Sequence, residues 1–121
     1  MRPLVHPSPD EMTVEGVLYA LSDPVRVRIF THLVAATCAQ NCTALANLNA
    51  EPLPKSTLSQ HFKILREAGL IRSERKGVEL QNSTRWEEYS KRFGPMISGI
   101  IDAYAKELTA NRRKRPRSKV A

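Results

Sequence analysis

The sequence predicts a mainly α-helical domain that carries one two-stranded β hairpin. Three observations lead there. "SPDE" at 8–11 and "SDP" at 22–24 each place a capping residue before a proline, which is how helices start. "KSTLSQHFKILREAG" at 55–69 is amphipathic at helical spacing and ends on a glycine. "IRSERKGVEL" at 71–80 alternates at period two around Lys76-Gly77, as a hairpin does.

The elements follow in order. Residues 1–8 read as a flexible arm with two prolines before the capping box of Ser8 and Glu11. A first helix is expected over 9–21, with Met12, Val17, Leu18 and Leu21 as its apolar members. Asp23 caps a second helix from Pro24 to about 36. Val25, Ile29, Leu33 and Val34 line its apolar face, with Arg26 and Arg28 off it. Thr37 to Asn41 reads as a loop, and Asn41 can cap a short third helix over 42–48, with Leu45 and Leu48 inward. After a turn at 51–54, Pro54 opens the fourth helix. At about 100° per residue, Leu58, His61, Phe62, Leu65 and Ala68 fall in one arc. Ser56, Ser59, Gln60 and Lys63 fall in the opposite one. The hairpin follows, with Lys76 and Gly77 as its turn. One long helix from about 84 to 111 closes the domain, with an interruption expected at Gly94-Pro95. The domain thus spans 9–110, and 111–121 is a basic tail.

Composition bounds the function. The 121 residues suffice for one compact core, 41% hydrophobic but only 6% aromatic. No apolar run is long enough to span a bilayer and no signal-peptide pattern opens the chain, so a cytoplasmic protein is expected, with no membrane partner. The net charge is +7. The tail holds six basic residues, which leaves a body near +1. Such a tail attracts polyanions without selecting among them. Specificity must therefore come from the body. There is no phosphate-cradling glycine loop, no metal-ligand constellation and no base-activated nucleophile, so neither an enzyme nor a cofactor is expected.

Four helices, a two-stranded wing and a last helix, α-α-α-α-β-β-α, form a winged helix-turn-helix, with the third and fourth helices as the helix-turn-helix pair. This explains the polar arc. A helix seated in the major groove needs donors and acceptors on its outward face. Gln60 can pair with adenine, Ser56 and Ser59 can reach bases or phosphates, and Lys55 and Lys63 can neutralise phosphates, with Thr57 at the margin. Arg72, Arg75 and Lys76 give the wing positive charge for a flanking backbone or minor groove. His61 lies on the apolar arc, where a histidine packs more often than it reads a base.

"LSDPVRVRIFTHL" and "STLSQHFKILREAGLIRSERKG" together resemble the ArsR-type bacterial transcriptional repressors over about residues 16–84. The resemblance implies a homodimeric repressor that binds double-stranded DNA at a palindromic operator, often near its own gene, and leaves when an effector arrives. It places Ser56, Thr57, Ser59, Gln60 and His61 in the recognition helix and Arg75 and Lys76 at the wing tip. It also implies dimerisation through the first and last helices, here carried by Val17, Leu18, Phe93, Ile97, Ile100, Ile101, Tyr104 and Leu108. The family's metal sites do not carry over. The thiols stand as "CAQNC" rather than separated by one residue, and the last helix holds no histidine. Cys38 and Cys42 are either small buried apolar groups or a thiol sensor. The effector is not legible. The competing class is a winged helix that binds protein, or DNA without regard to sequence.

Overall fold

The computed structural model describes residues 4, 6–36, 40–41 and 53–114, with the side chains of 40, 41 and 111–114 set aside. The expected third helix over 42–48, with Leu45 and Leu48, lies outside the described residues. So do Cys38, Cys42 and 115–121.

The order is a 3-10 turn at Pro9–Glu11, α1 (Val14–Ala20), α2 (Pro24–Ala35), β1 (Gln40–Asn41), α3 (Lys55–Glu67), β2 (Ile71–Lys76), β3 (Glu79–Thr84) and α4 (Trp86–Lys114). The chain is mainly helical with an antiparallel β wing, as expected.

The capping box forms, with the Ser8 N–H donating to Glu11 Oε1 at 2.7 Å. It starts only a single turn, which corrects the expected helix over 9–21. Met12 is extended (φ −70°, ψ 142°) and buried, and Thr13 caps α1 by accepting from the Gly16 N–H at 3.0 Å. The break lets Met12 reach the far end of α3. Asp23 caps α2 as predicted, accepting from the N–H groups of Val25 and Arg26.

The core joins α1, α2, α3, the hairpin and α4 through Val17, Ile29, Phe30, Phe62, Leu65, Ile71 and Ile97, all 1% exposed or less. On α2 the sequence assignment needs two corrections. Val34 is exposed, whereas Arg26, placed off the apolar face, is buried.

α3 ends in a Schellman motif. The Gly69 N–H donates to the Arg66 carbonyl and the Leu70 N–H to the Leu65 carbonyl. Gly69 has φ +91°, and a Cβ there would stand 2.6 Å from Met12 Cγ.

The hairpin pairs Ile71 with Thr84 through Lys76 with Glu79. Its two-residue turn is therefore Gly77-Val78, one residue later than predicted. Gly77 has φ +66° and no other residue type takes positive φ among the described residues, the II′ pattern with glycine first. Val78 is fully exposed at the tip, not on the strand face. A second correction concerns Gln40–Asn41, read as loop, which pairs with Asn82 and Gln81 and makes the sheet three-stranded in the order β1-β3-β2. α4 runs unbroken through Pro95, which is on the exposed side of the helix, so the expected interruption does not split it.

Candidate nucleic-acid interface

α3 has two faces. Leu58, Phe62 and Leu65 are buried. Lys55, Ser56, Thr57, Ser59, Gln60 and Lys63 are all exposed. The predicted polar arc is thus a solvent-facing stripe of hydroxyls, one amide and two ammonium groups. Pro54 precedes the helix and supplies no side-chain cap, so among the described residues the first-turn N–H groups keep their donor capacity.

At the wing, Arg75 and Lys76 are exposed on either side of the strand that ends at the turn. Arg72 behaves differently. It is half-buried, and its Nη2 donates to Glu88 Oε2 at 3.3 Å. Part of its charge is answered by α4.

His61 is half-buried at the margin of α3, with Nδ1 3.3 Å from Arg26 Nη1. Burial is the main cause that lowers its pKa. The Asp23 carboxylate opposes this, and Arg26 adds to it.

Sequence reasoning missed the polar residues that hold these surfaces in place. Arg26 Nε donates to the Ala20 carbonyl and Nη2 to the Tyr19 carbonyl, tying α2 to the end of α1. Arg85, 5% exposed, forks onto both oxygens of Glu88 and donates to the Pro7 carbonyl at 2.7 Å. Ser73 and Asn82 face each other across the hairpin at 2.6 Å, with Arg66 Nη1 donating to Ser73 Oγ. The one available signal was the alternation, which put Ser73 inward beside Ile71.

The residues named for dimerisation divide into three groups. Val17, Phe93 and Ile97 are enclosed by the chain's own core. Ile100, Ile101 and Tyr104 are half-buried against it. Leu18 and Leu108 are about half exposed, at 48% and 53%. No three metal-ligating side chains converge among the described residues, and no described helix is long and apolar enough to cross a membrane.

A polar helix face beside a basic β wing, on this element order, is the arrangement of a winged helix-turn-helix fold. Comparison with known proteins agrees. Residues 21–74 match the family described as helix-turn-helix domain. The fold is shared with a crystal structure of an ArsR family transcriptional regulator (19% identity, TM-score 0.56, covering 84% of this chain and 98% of that one). It is shared also with M. tuberculosis Rv0081 (24%, 0.53, 84% and 89%). An ArsR-like transcriptional regulator from Rhodococcus sp. RHA1 is similar again (24%, 0.54, 84% and 91%). No curated protein matches the sequence at a significant level. The resemblance to ArsR-type winged helix-turn-helix regulators seen in the sequence therefore holds at the level of domain and fold.

Proposed function

We propose that this protein is a homodimeric transcriptional repressor that reads a palindromic operator near its own gene and leaves it when an effector binds. The observation that carries the DNA-reading part is the exposed stripe Ser56, Ser59, Gln60 and Lys63 on the helix directly before a wing tipped by Arg75 and Lys76. In this reading Gln60 and Ser59 contact base edges. Lys55, Lys63, Arg75 and Lys76 contact phosphates, and Thr57 and His61 flank them.

Support for the dimer comes from apolar side chains left in solvent. Val14, Leu18 and Tyr19 on α1 and Leu108 on α4 are all at least 45% exposed. With Ile100, Ile101 and Tyr104 partly covered, they give a second copy an apolar surface on the two helices that the resemblance singles out. The basic tail adds affinity without selectivity.

The test is fluorescence anisotropy of the reduced protein on a duplex from its own upstream region, beside a scrambled duplex, across a salt series. Preference for the upstream duplex that survives added salt is the expected result. Equal and steeply salt-dependent binding to both would instead make the protein an architectural or protein-binding winged helix.

A further inference from the structure

The contact between Arg26 and His61 joins the scaffold to the recognition helix. Arg26 is 6% exposed, and its Nε and Nη2 are committed to the Ala20 and Tyr19 carbonyls at 2.7 and 3.1 Å. The guanidinium carbon lies 5.3 Å from the centre of the Tyr19 ring, and Asp23 Oδ2 stands 4.0 Å from Nη1. The guanidinium is therefore held from several sides, and its Nη1 is delivered to His61 Nδ1 at 3.3 Å.

The chemistry of the pair fixes the imidazole. A guanidinium has donors only, so Nδ1 must be the acceptor. A neutral imidazole carries one proton, which then sits on Nε2. Acceptance at Nδ1 requires the neutral ring, and burial lowers the His61 pKa in the same direction, with Asp23 opposing and Arg26 adding to it.

We infer that Arg26 is a positioning residue for DNA binding: it fixes His61 as the Nε2–H tautomer and so presents one oriented N–H donor to a DNA phosphate. This rests on the DNA-reading proposal above. His61 stands one turn after Thr57 on the flank of α3, not on the outward stripe. Helical side chains lean toward the N-terminus, the end of a recognition helix that enters the groove. A flank residue in that place meets the wall of the groove, where the phosphates lie. Being uncharged, this donor strengthens binding to every sequence without displacing a counterion.

Two substitutions at one position separate the two ring nitrogens. His61→Asn places an amide oxygen where Nδ1 stands and nothing at Nε2. His61→Gln carries its amide out to the Nε2 position. Expected for His61→Asn is unfolding like that of the parent, with affinity about tenfold weaker on upstream and scrambled duplexes alike and an unchanged salt slope. His61→Gln recovers most of that loss. Nitrogen-15 spectra of the full chain show His61 as the Nε2–H form, and Arg26→Gln turns it into a mixture of tautomers. Parent-like binding by His61→Asn, no recovery by His61→Gln, or an Nδ1–H ring in the parent would each overturn the proposal. If the parent itself binds neither duplex, the DNA reading fails instead, while the spectra still decide the tautomer.

Discussion

The backbone N–H of Ser73 donates to His6 Nε2 at 3.0 Å, across the edge of β2 that faces away from β3. An edge strand leaves such donors unpaired, and here a side chain from the start of the chain satisfies one. Two further bonds hold the same segment: Arg85 Nη1 to the Pro7 carbonyl at 2.7 Å and Arg92 Nη1 to the Pro9 carbonyl at 3.2 Å. The N-terminal segment thus straps the wing to α4.

The strap depends on pH. Nε2 accepts only when unprotonated. The His6 pKa is lowered from 6.5, first by burial and then by the charges of Arg72, Arg66 and Arg85, with Glu74 opposing. A histidine with a lowered folded pKa binds its proton less readily than the unfolded chain does. Its contribution is therefore complete above 6.5 and falls as pH drops below that value, levelling off beneath the folded pKa. Native-state hydrogen exchange of the Ser73 amide, corrected for intrinsic pH effects, should lose protection across this window. A His6→Ala variant should lack the pH dependence. Equal pH profiles for the two proteins would show that the bond does not hold the strap.

Gly69 stands where two constraints meet. Its φ of +91° disfavours any side chain, and the Cβ of an alanine would overlap Met12 Cγ and Sδ at 2.6 and 2.8 Å. Left-handed strain alone costs about 1–3 kcal/mol. Gly69→Ala should lower the urea midpoint accordingly. Met12→Ala removes a buried core side chain and costs stability by itself. The double variant should nevertheless lose less than the sum of the two, because the overlap is cleared. A strictly additive pair would place the whole Gly69 cost in the backbone.

The contrast between Gly69 and Arg26 shows what the sequence can and cannot disclose. Gly69 was legible because a glycine after an amphipathic run is a local signal. So was the division of α3, since Leu58, Phe62 and Leu65 recur at helical spacing and the polar stripe falls opposite. Arg26 was not legible. Its burial follows from the carbonyls at the end of α1 and from His61, 35 positions along the chain, and no periodicity carries that information. The break at Met12-Thr13 has the same origin, since Met12 is drawn to a partner at Gly69. The hairpin turn was misplaced by one residue because only the strand register, with Lys76 opposite Glu79, says which two residues are left over.

Arg85 and Glu88 anchor the wing to the first turn of α4. The fork, at 3.2 and 2.8 Å, holds the Glu88 carboxyl below its ordinary 4.5, with Arg72 helping and burial opposing. A lowered carboxylate pKa contributes stability above 4.5 that is lost as pH falls through the folded value. Because the Glu88 side chain is 37% exposed, the pair is worth less than a fully buried one. Removing the buried Arg85, with its bond to Pro7, should cost more. Arg85→Met should destabilise by about 2–3 kcal/mol, at or below the low end for broken buried pairs. Glu88→Gln should cost under about 1 kcal/mol at neutral pH. Chemical unfolding of both variants and the double variant measures their coupling. The absence of coupling would make Arg85 a tie to Pro7 and not to α4.

The exposed apolar residues allow a direct test of assembly. Leu108 is 53% exposed on the second half of α4 and takes little part in the chain's own core. Leu108→Glu should leave the fold unchanged, because the new carboxylate faces solvent in a single chain. It should shift the protein toward monomer if that face meets a second copy. Light scattering across a concentration series should show the parent as a dimer and the variant dissociating at least tenfold more readily, since a charge enclosed in an apolar interface costs more than about 1.4 kcal/mol. A parent that remains monomeric would remove the dimer from the proposed function.

Gln60 and Lys63 lie on one stripe of α3 and should fail in different ways. Gln60 can donate to and accept from one adenine edge, a contact of about 1–3 kcal/mol against the wrong base. Gln60→Ala should weaken the upstream duplex by roughly tenfold or more, leave scrambled DNA nearly unchanged and relax preference at one base pair in each half-site. Lys63 carries a charge and no base code. Lys63→Ala should weaken both duplexes alike and reduce the salt slope by about one counterion. Anisotropy titrations of both variants on both duplexes at several salt concentrations separate the roles. Equal losses for Gln60→Ala on the two duplexes would withdraw it as a reader and leave base recognition to Ser56 and Ser59.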